Sequence, residues 1–257
     1  LPSLAETTIP RLRLSSLQAQ DISEDLLRLW QNRRLCRHFH LPLQSGSDRV
    51  LTAMRRRYTV DQFRRAVALI RREVPDVAIT TDVIVGFPGE GDEDFQRTHD
   101  LCRQLAFAAI HVFPYSRRPG TGAALAKEQV PHAVKRRRLE RMLQLARSSA
   151  DAFRAHFQGR TMDVLWEEAK TRHDGQPPLW RGLTDNYLRV YTSARDGWAS
   201  GLCAEKGPAS GQWSVVELAN RLLPARLGEP LGDGLWGELQ SAADPPPVEV
   251  SSGEPAR

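Results

Sequence analysis

The stretch from His40 to Tyr58, HLPLQSGSDRVLTAMRRRY, constrains the fold of this chain more than any other. It opens on an apolar run, Leu41-Pro42-Leu43, suited to a strand buried on both faces. Small polar residues, Gln44-Ser45-Gly46-Ser47, follow where a strand would hand over to a helix, and Val50, Leu51 and Met54 then recur at helical spacing. A strand that ends in hydrogen-bonding side chains and leads into a helix has the form of one unit at the mouth of a β/α barrel.

The neighbouring segments repeat this pattern. Arg11-Leu12-Arg13-Leu14 reads as a strand closed by Ser15-Ser16, and Asp21 and Glu24 read as the start of a helix carrying Leu26, Leu27 and Trp30. Cys36 to Leu43 supplies the next strand, and Thr59 with Gln62 predicts a capping box for a helix through Phe63, Val67 and Ile70. Val77 to Val85, rich in Val, Ile and Thr, is the most strand-like run and ends in the turn Gly86-Phe87-Pro88-Gly89-Glu90. Asp92, Glu93 and Asp94 favour the positive end of a helix running through Leu101 and Leu105, and Ala109 to Phe113 is a further strand. Strands alternating with helix-length connections predict a parallel sheet or partial barrel over residues 1–130.

The character changes at Pro131. Leu139, Met142, Leu143, Ala146, Phe153 and Phe157 mark one face of a long connecting helix over 131–159, flanked by Lys135, Arg136, Arg137, Arg138, Arg141 and Arg147, with Gly159 as its stop. Residues 160–240 read as short strands (161–168, 187–192, 213–218 and 234–239) separated by turns at Asp174-Gly175, Asp196-Gly197 and Gly207-Pro208. That pattern predicts a small OB-like β-barrel. Residues 241–257, with Pro245-Pro246-Pro247, read as a disordered tail. The fold class expected is α/β plus all-β.

Charge is unevenly placed. Residues 1–159 hold 26 Lys+Arg against 17 Asp+Glu, whereas 160–257 hold 10 against 14. A basic first part suits a polyanion such as nucleic acid, and a solvated arginine-rich surface accounts for it equally well. The three cysteines, Cys36, Cys102 and Cys203, form no CxxC pair and suit ordinary thiols in a reducing cytoplasm. No apolar run approaches a membrane span, so no membrane partner is expected. The chain starts at Leu1 rather than at methionine, so it is expected to be a fragment or a processed product.

Hydrogen-bonding groups gather after successive strands: Ser15-Ser16, Gln44-Ser45, Asp82 with Gly86, and Tyr115-Ser116. Parallel strands would bring them to one rim, suited to a ligand with ribose hydroxyls, an amino group or a carboxylate. Asp82, in an apolar run, needs a partner. His38 and His40 flank Phe39, but no third ligand is apparent, so no metal is expected there; His99 and His111 read as packing or surface residues. No nucleophile with an obvious base stands out.

Three segments, HLPLQSGSDRVLTAMRRRY (40–58), TTDVIVGFPGE (80–90) and HVFPYSRRPGT (111–121), resemble in order the radical S-adenosylmethionine methylthiotransferases. HVFPYSRRPGT and LTDNYLRVY (183–191) are most similar to the MtaB-type branch, which acts on threonylcarbamoyladenosine beside the tRNA anticodon. The resemblance, over residues 10 to 240, implies a partial β/α barrel followed by a TRAM-type β-barrel that engages RNA. It implies S-adenosylmethionine and two 4Fe-4S clusters as cofactors and tRNA as partner. One cluster, in a CxxxCxxC loop, reductively cleaves S-adenosylmethionine to a 5′-deoxyadenosyl radical. This sequence has no CxxxCxxC, and its cysteines lack the spacing to replace one. The chain is therefore expected to be the inactive C-terminal part of a longer enzyme.

Carried over by position, Gln44 and Ser45 are implied to meet the methionine or ribose of S-adenosylmethionine, and Asp82 and Gly86 its adenine and ribose. Phe113, Tyr115 and Ser116 are implied to border the adenine or the substrate. Arg117, Arg118, Arg136 and Arg137 are the candidate RNA contacts, with Arg55–Arg57 either phosphate contacts or solvated. Nearness to the expected rim favours contact for Arg117 and Arg118. Tyr187, Tyr191 and Trp198 are stacking candidates in the small barrel, or parts of its core. That barrel's 9 basic against 11 acidic residues give no electrostatic help. Two rivals stand beside the tRNA enzyme: a non-enzymatic tRNA-binding module, and a methylthiotransferase acting on a ribosomal protein.

Overall fold

The computed structural model describes residues 9–170, 178–193 and 218–240. It divides into two compact units, Leu1–Gln158 with Asp185–Leu188, and Gly159–Thr184 with Arg189–Arg257.

The first unit is built on a parallel three-stranded sheet, β1 (His38–His40), β2 (Ala78–Val85) and β3 (Ala109–Pro114), in that order. Short helix α1 (Glu24–Leu27), capped by the Ser23 hydroxyl rather than from Asp21, precedes it. Helices α2 (Asp48–Ala53) and α3 (Val60–Glu73) connect β1 to β2, and α4 (Asp92–Leu105) connects β2 to β3. α5 (Gly122–Leu125) is a single turn, and α6 (His132–Ala155) closes the unit. The capping box predicted at Thr59 and Gln62 starts α3, satisfying two amides that the first helical turn leaves orphaned. α4 ends where Ala106 turns left-handed at φ 43°.

The sheet has two unlike faces because side chains alternate along each strand. On β2, Ile79, Thr81, Val83 and Val85 are at most 1% exposed and form the covered face. They share a core with Phe39, Phe63, Val67, Ile70, Phe95, Leu101, Phe107 and Met142. Thr81 is tolerated there because its hydroxyl donates to Leu41 O and accepts from Leu43 N. The other face carries Thr80, Asp82 and Ile84, beside His38 and His40 on β1 and His111 and Phe113 on β3.

Several expectations are corrected. Arg11–Leu14 forms no strand; only Leu12 makes a bridge, parallel to Leu35. The strand expected over Cys36–Leu43 is confined to His38–His40, with pairing resumed at Gln44 opposite Val83. α6 stops at Ala155, four residues before Gly159. Met142 on its apolar face is buried as the periodicity requires, and Phe157, in the turn past its end, is buried as well. Arg138 is not a solvated flank residue: it is 4% exposed and pairs with Glu90 and Asp92.

The second unit is a closed five-stranded barrel: β4 (Thr161–Lys170), β5 (Leu179–Thr184), β6 (Arg189–Ser193), β8 (Gly234–Leu239) and β7 (Leu222–Leu231), in spatial order. All pairs are antiparallel except β6 with β8. Val164, Trp166, Trp180, Val190, Ala225, Leu227 and Leu235 fill it, each at most 4% exposed. Closure needs glycine at 182: a Cβ there would lie 2.6 Å from Val164 Cγ1 and 2.7 Å from Leu165 O. β5 and β7 were not expected from sequence. Of the strand expected over 213–218 only Leu218 is described, and it is not in a strand; Trp198, the three expected turns and the tail lie outside the described residues.

Candidate functional site at the open face of the parallel sheet

The parallel strands deliver Gln44, Gly86 and Tyr115 to their carboxyl ends, where β/α folds bind ligands. Gln44 N donates to Asp82 O and Gln44 O accepts from Ile84 N, which holds this residue at φ 64° in register with β2. The residue is 8% exposed, and its carboxamide has no hydrogen bond to any described residue. Ser45 is used differently. Thr98 Oγ1 donates to Asp94 O, so the buried Ser45 hydroxyl, 3.3 Å away, donates to Thr98. Ser47 Oγ donates to Asp94 Oδ1 at 2.7 Å, and a Cβ on Gly46 would lie 2.6 Å from Thr98 Cα. Ser45-Gly46-Ser47 therefore docks the loop onto α4.

Asp94 anchors that junction, accepting also from Gly91 N at 2.9 Å and from Arg49. Burial pushes its carboxyl up, but the Arg49, Ser47 and Gly91 donors outweigh this and hold it at about 2.

The turn after β2 is braced from α6. Gly86, at φ 75°, donates its amide to Glu90 Oε2 at 2.5 Å, and Phe87 N donates to the same oxygen at 3.1 Å. The other carboxylate oxygen accepts from Arg138 Nη1 at 3.2 Å, both side chains being 4% exposed. Burial raises the Glu90 carboxyl against the pull of Arg138 and the two amides. Lys135 Nζ donates to Tyr115 O at 3.2 Å. The Tyr115 ring meets Phe87 edge-on, and its hydroxyl is buried without a partner among the described residues. Phe113, 51% exposed, stands on the open face beside Ile84.

Below this rim lie groups that sequence spacing did not connect. Asp82 Oδ2 is 3.2 Å from His40 Nε2, and its Oδ1 is 3.2 Å from His111 Nδ1. His40 Nδ1 lies 3.0 Å from Thr80 Oγ1. Asp82 and His111 are thus the groups beside His40 that spacing along the chain did not reveal. The signal available was the strand register: with β2 and β3 parallel, His111 falls opposite Asp82. His38 touches this group only through Thr80, its Nε2 lying 3.4 Å from Thr80 Oγ1, while its ring is tilted against Tyr187 and its Nδ1 accepts from Arg13 Nε. Burial, then the Arg13 and His40 charges, lower it to about 4. Arg13 also covers the Tyr187 ring, with 4.3 Å from Cζ to the centroid, so this aromatic is engaged within the first unit.

Ser116, Arg117 and Arg118 are exposed just past Tyr115, and Ser15 and Ser16 are also exposed. Arg117 and Arg118 make no ion pair among the described residues. Arg136 pairs with Glu140 at 2.9 Å on the exposed side of α6, next to the exposed Arg137. In the second unit Tyr191 donates its hydroxyl to Asp233 at 2.5 Å.

The model of the Radical SAM superfamily matches residues 8–102. Residues 8–102 are thus similar to a radical SAM domain. More particularly, the chain is 36% identical to the threonylcarbamoyladenosine tRNA methylthiotransferase MtaB of Bacillus subtilis, over 71% of this chain and 40% of that one. It is 42% identical to the Thermotoga maritima protein of the same name, over 61% and 36%. It is also 42% identical to tRNA-2-methylthio-N(6)-dimethylallyladenosine synthase of Thermobifida fusca, over 74% and 38%. The chain thus spans about two fifths of the length of these relatives.

The donor set does not fit an iron–sulfur cluster. Cluster ligation needs thiolates, and both described cysteines are buried, Cys36 at 3% and Cys102 at 0% exposure. Burial pushes both thiols up, Cys102 to about 12. S-Adenosylmethionine fits better: the unpartnered Gln44 carboxamide, the orphaned Tyr115 hydroxyl and the exposed Phe113 offer polar and stacking groups toward the carboxyl ends of the strands. No helix among the described residues is long and apolar enough to cross a membrane.

Proposed function

We propose that this chain is part of a cytoplasmic tRNA methylthiotransferase acting on threonylcarbamoyladenosine beside the anticodon, and that it supplies binding surfaces for S-adenosylmethionine and tRNA. The observation that carries this reading is the 36–42% identity to enzymes whose names specify methylthio modification of tRNA. Gln44, Gly86, Phe113 and Tyr115 hold S-adenosylmethionine at the strand ends, with Asp82 beneath; Ser45 positions Gln44 by anchoring the loop, and Ser116 lies at the edge of the site. When bound, S-adenosylmethionine supplies the methyl group and the radical precursor. The residues of this chain orient it, and thiolates able to hold the cluster that would supply the electron are not among the described residues.

Arg117 and Arg118 contact the tRNA backbone, with Arg136 and Arg137 as a second basic strip. The five-stranded barrel, with its third and fifth strands parallel, is assigned as an OB-like TRAM module. Replacing Arg117 and Arg118 with alanine is expected to weaken tRNA binding and to lower its salt slope by about 1.5. An unchanged slope refutes their role.

A dimethylallyladenosine substrate is the second reading, favoured by the 42% identity to the Thermobifida enzyme. Nucleoside analysis of tRNA from a strain lacking the gene separates the two. Loss of the methylthio derivative of threonylcarbamoyladenosine supports the first reading, and loss of the dimethylallyl derivative supports the second. An intact profile removes both and leaves a ribosomal protein substrate or a tRNA-binding module.

A further inference from the structure

The open sheet face holds a group of ligating atoms of which the adenosylmethionine reading uses only Asp82. We infer that His40, Asp82 and His111 form a binding site for one divalent first-row transition-metal ion, separate from any iron–sulfur cluster. One ligand atom from each residue lies within 4.8 Å of the others. Both imidazole-to-carboxylate separations are 3.2 Å. Metal–ligand bonds of about 2.1 Å place neighbouring donors roughly 3.0–3.4 Å apart, whereas a charge-assisted hydrogen bond draws its atoms to about 2.7–2.9 Å. Each separation therefore matches one edge of a coordination polyhedron in which Asp82 binds through both oxygens, Oδ2 beside His40 and Oδ1 beside His111.

The surroundings support the same assignment. Thr80 Oγ1, 3.0 Å from His40 Nδ1, is the outer-sphere partner that a metal-bound histidine ordinarily has, and it turns Nε2 toward Asp82. Three strands of one parallel sheet supply the ligands, so their spacing is set by backbone register. Side-chain exposure rises from 14% at His40 through 26% at Asp82 to 55% at His111, which gives an ion a path of entry and leaves coordination positions open. Two imidazoles with one carboxylate select zinc, iron or cobalt over calcium or magnesium. A dication on a single carboxylate leaves the site net positive, suited to an anionic or lone-pair ligand from the substrate side. The competing arrangement is a closed polar triad, with both imidazoles donating to Asp82 and no ion bound.

The inference does not rest on the tRNA reading, and its test uses neither S-adenosylmethionine nor RNA. Chelator-stripped protein is titrated with Co²⁺ by visible absorption and with Zn²⁺ by calorimetry. The expected result is one equivalent of tight binding with a ligand-field spectrum. In His111→Ala, whose exposed side chain is dispensable for folding as checked by circular dichroism, affinity falls at least tenfold. His132→Ala, at the exposed start of α6, leaves it unchanged. Absence of stoichiometric binding by the wild type, or equal binding by His111→Ala, overturns the site in favour of the closed triad. S-Adenosylmethionine binding by the metal-free protein is measured separately, so failure of one reading does not mimic failure of the other.

Discussion

Removing Arg138 tests whether the turn at the binding rim is held by a buried ion pair. In Arg138→Met the aliphatic volume is largely kept, while Glu90, 4% exposed, loses its only cationic partner among the described residues. Truncating one member of a buried pair costs about 3–5 kcal/mol, because the remaining charge stays buried. Here the Gly86 and Phe87 amides still donate to Glu90 Oε2, so the low end, about 3 kcal/mol, is expected. The Asp92 contact adds little, since that carboxylate is 81% exposed. At about 2–4 °C per kcal/mol for a domain of this size, the unfolding midpoint drops by roughly 6–12 °C.

Glu90→Gln in the same background removes the stranded charge and restores most of the loss. The pH dependence has a definite sign. The Glu90 carboxyl is already raised, so its neutral form is favoured in the fold, and removing Arg138 raises it further. Ionising it therefore costs stability as pH rises, and the deficit of Arg138→Met is smaller at pH 5 than at pH 8. Thermal and urea unfolding of the four proteins of the cycle supply the data. A loss below about 1 kcal/mol in Arg138→Met, or an additive cycle, refutes the buried-pair account.

Three further outcomes are expected. Asp94, lowered to about 2, contributes stability that is complete above its ordinary value of 3.8 and lost as pH falls through 2. After allowance for the exposed Arg49, Asp94→Asn costs about 1 kcal/mol at pH 6, and the gap to wild type closes by pH 2; a gap independent of pH contradicts this. Gly182→Ala drives a methyl onto Leu165 O and Val164 Cγ1, so urea unfolding of the barrel should show a loss of about 2–4 kcal/mol, and a change under 0.5 would mean that β4 yields easily. Cys36 and Cys102 should resist a thiol reagent at pH 8 in the native protein and react after unfolding, as peptide mapping reports; rapid native labelling of Cys102 would show that its site opens.

Much of the first unit was legible because its signals are local. The Thr59–Gln62 capping box, the acidic first turn of α4 and the Val/Ile/Thr run of β2 each lie within a few residues, and each formed where its chemistry directed. Of the four parallel strands expected to end at one rim, three form and the one before Ser15-Ser16 does not. Local pattern failed where an element depends on a distant partner. Arg11–Leu14 alternates like a strand yet finds one bridge, and β5, with Gly182 at its centre, lacks an uninterrupted apolar run because the barrel interior requires a missing side chain there.

The sequence by itself determined the alternation of strands and helices, the helix starts and the polar ends of the strands, since propensity and capping act over one or two turns of chain. Only the tertiary structure decided which charges are buried and which side chains meet. Arg138 looks like its exposed neighbours on α6 until Glu90, 48 residues earlier, closes over it. Asp82 meets His40 and His111 across sequence separations of 42 and 29, because the register of a parallel sheet, not spacing along the chain, sets those neighbours.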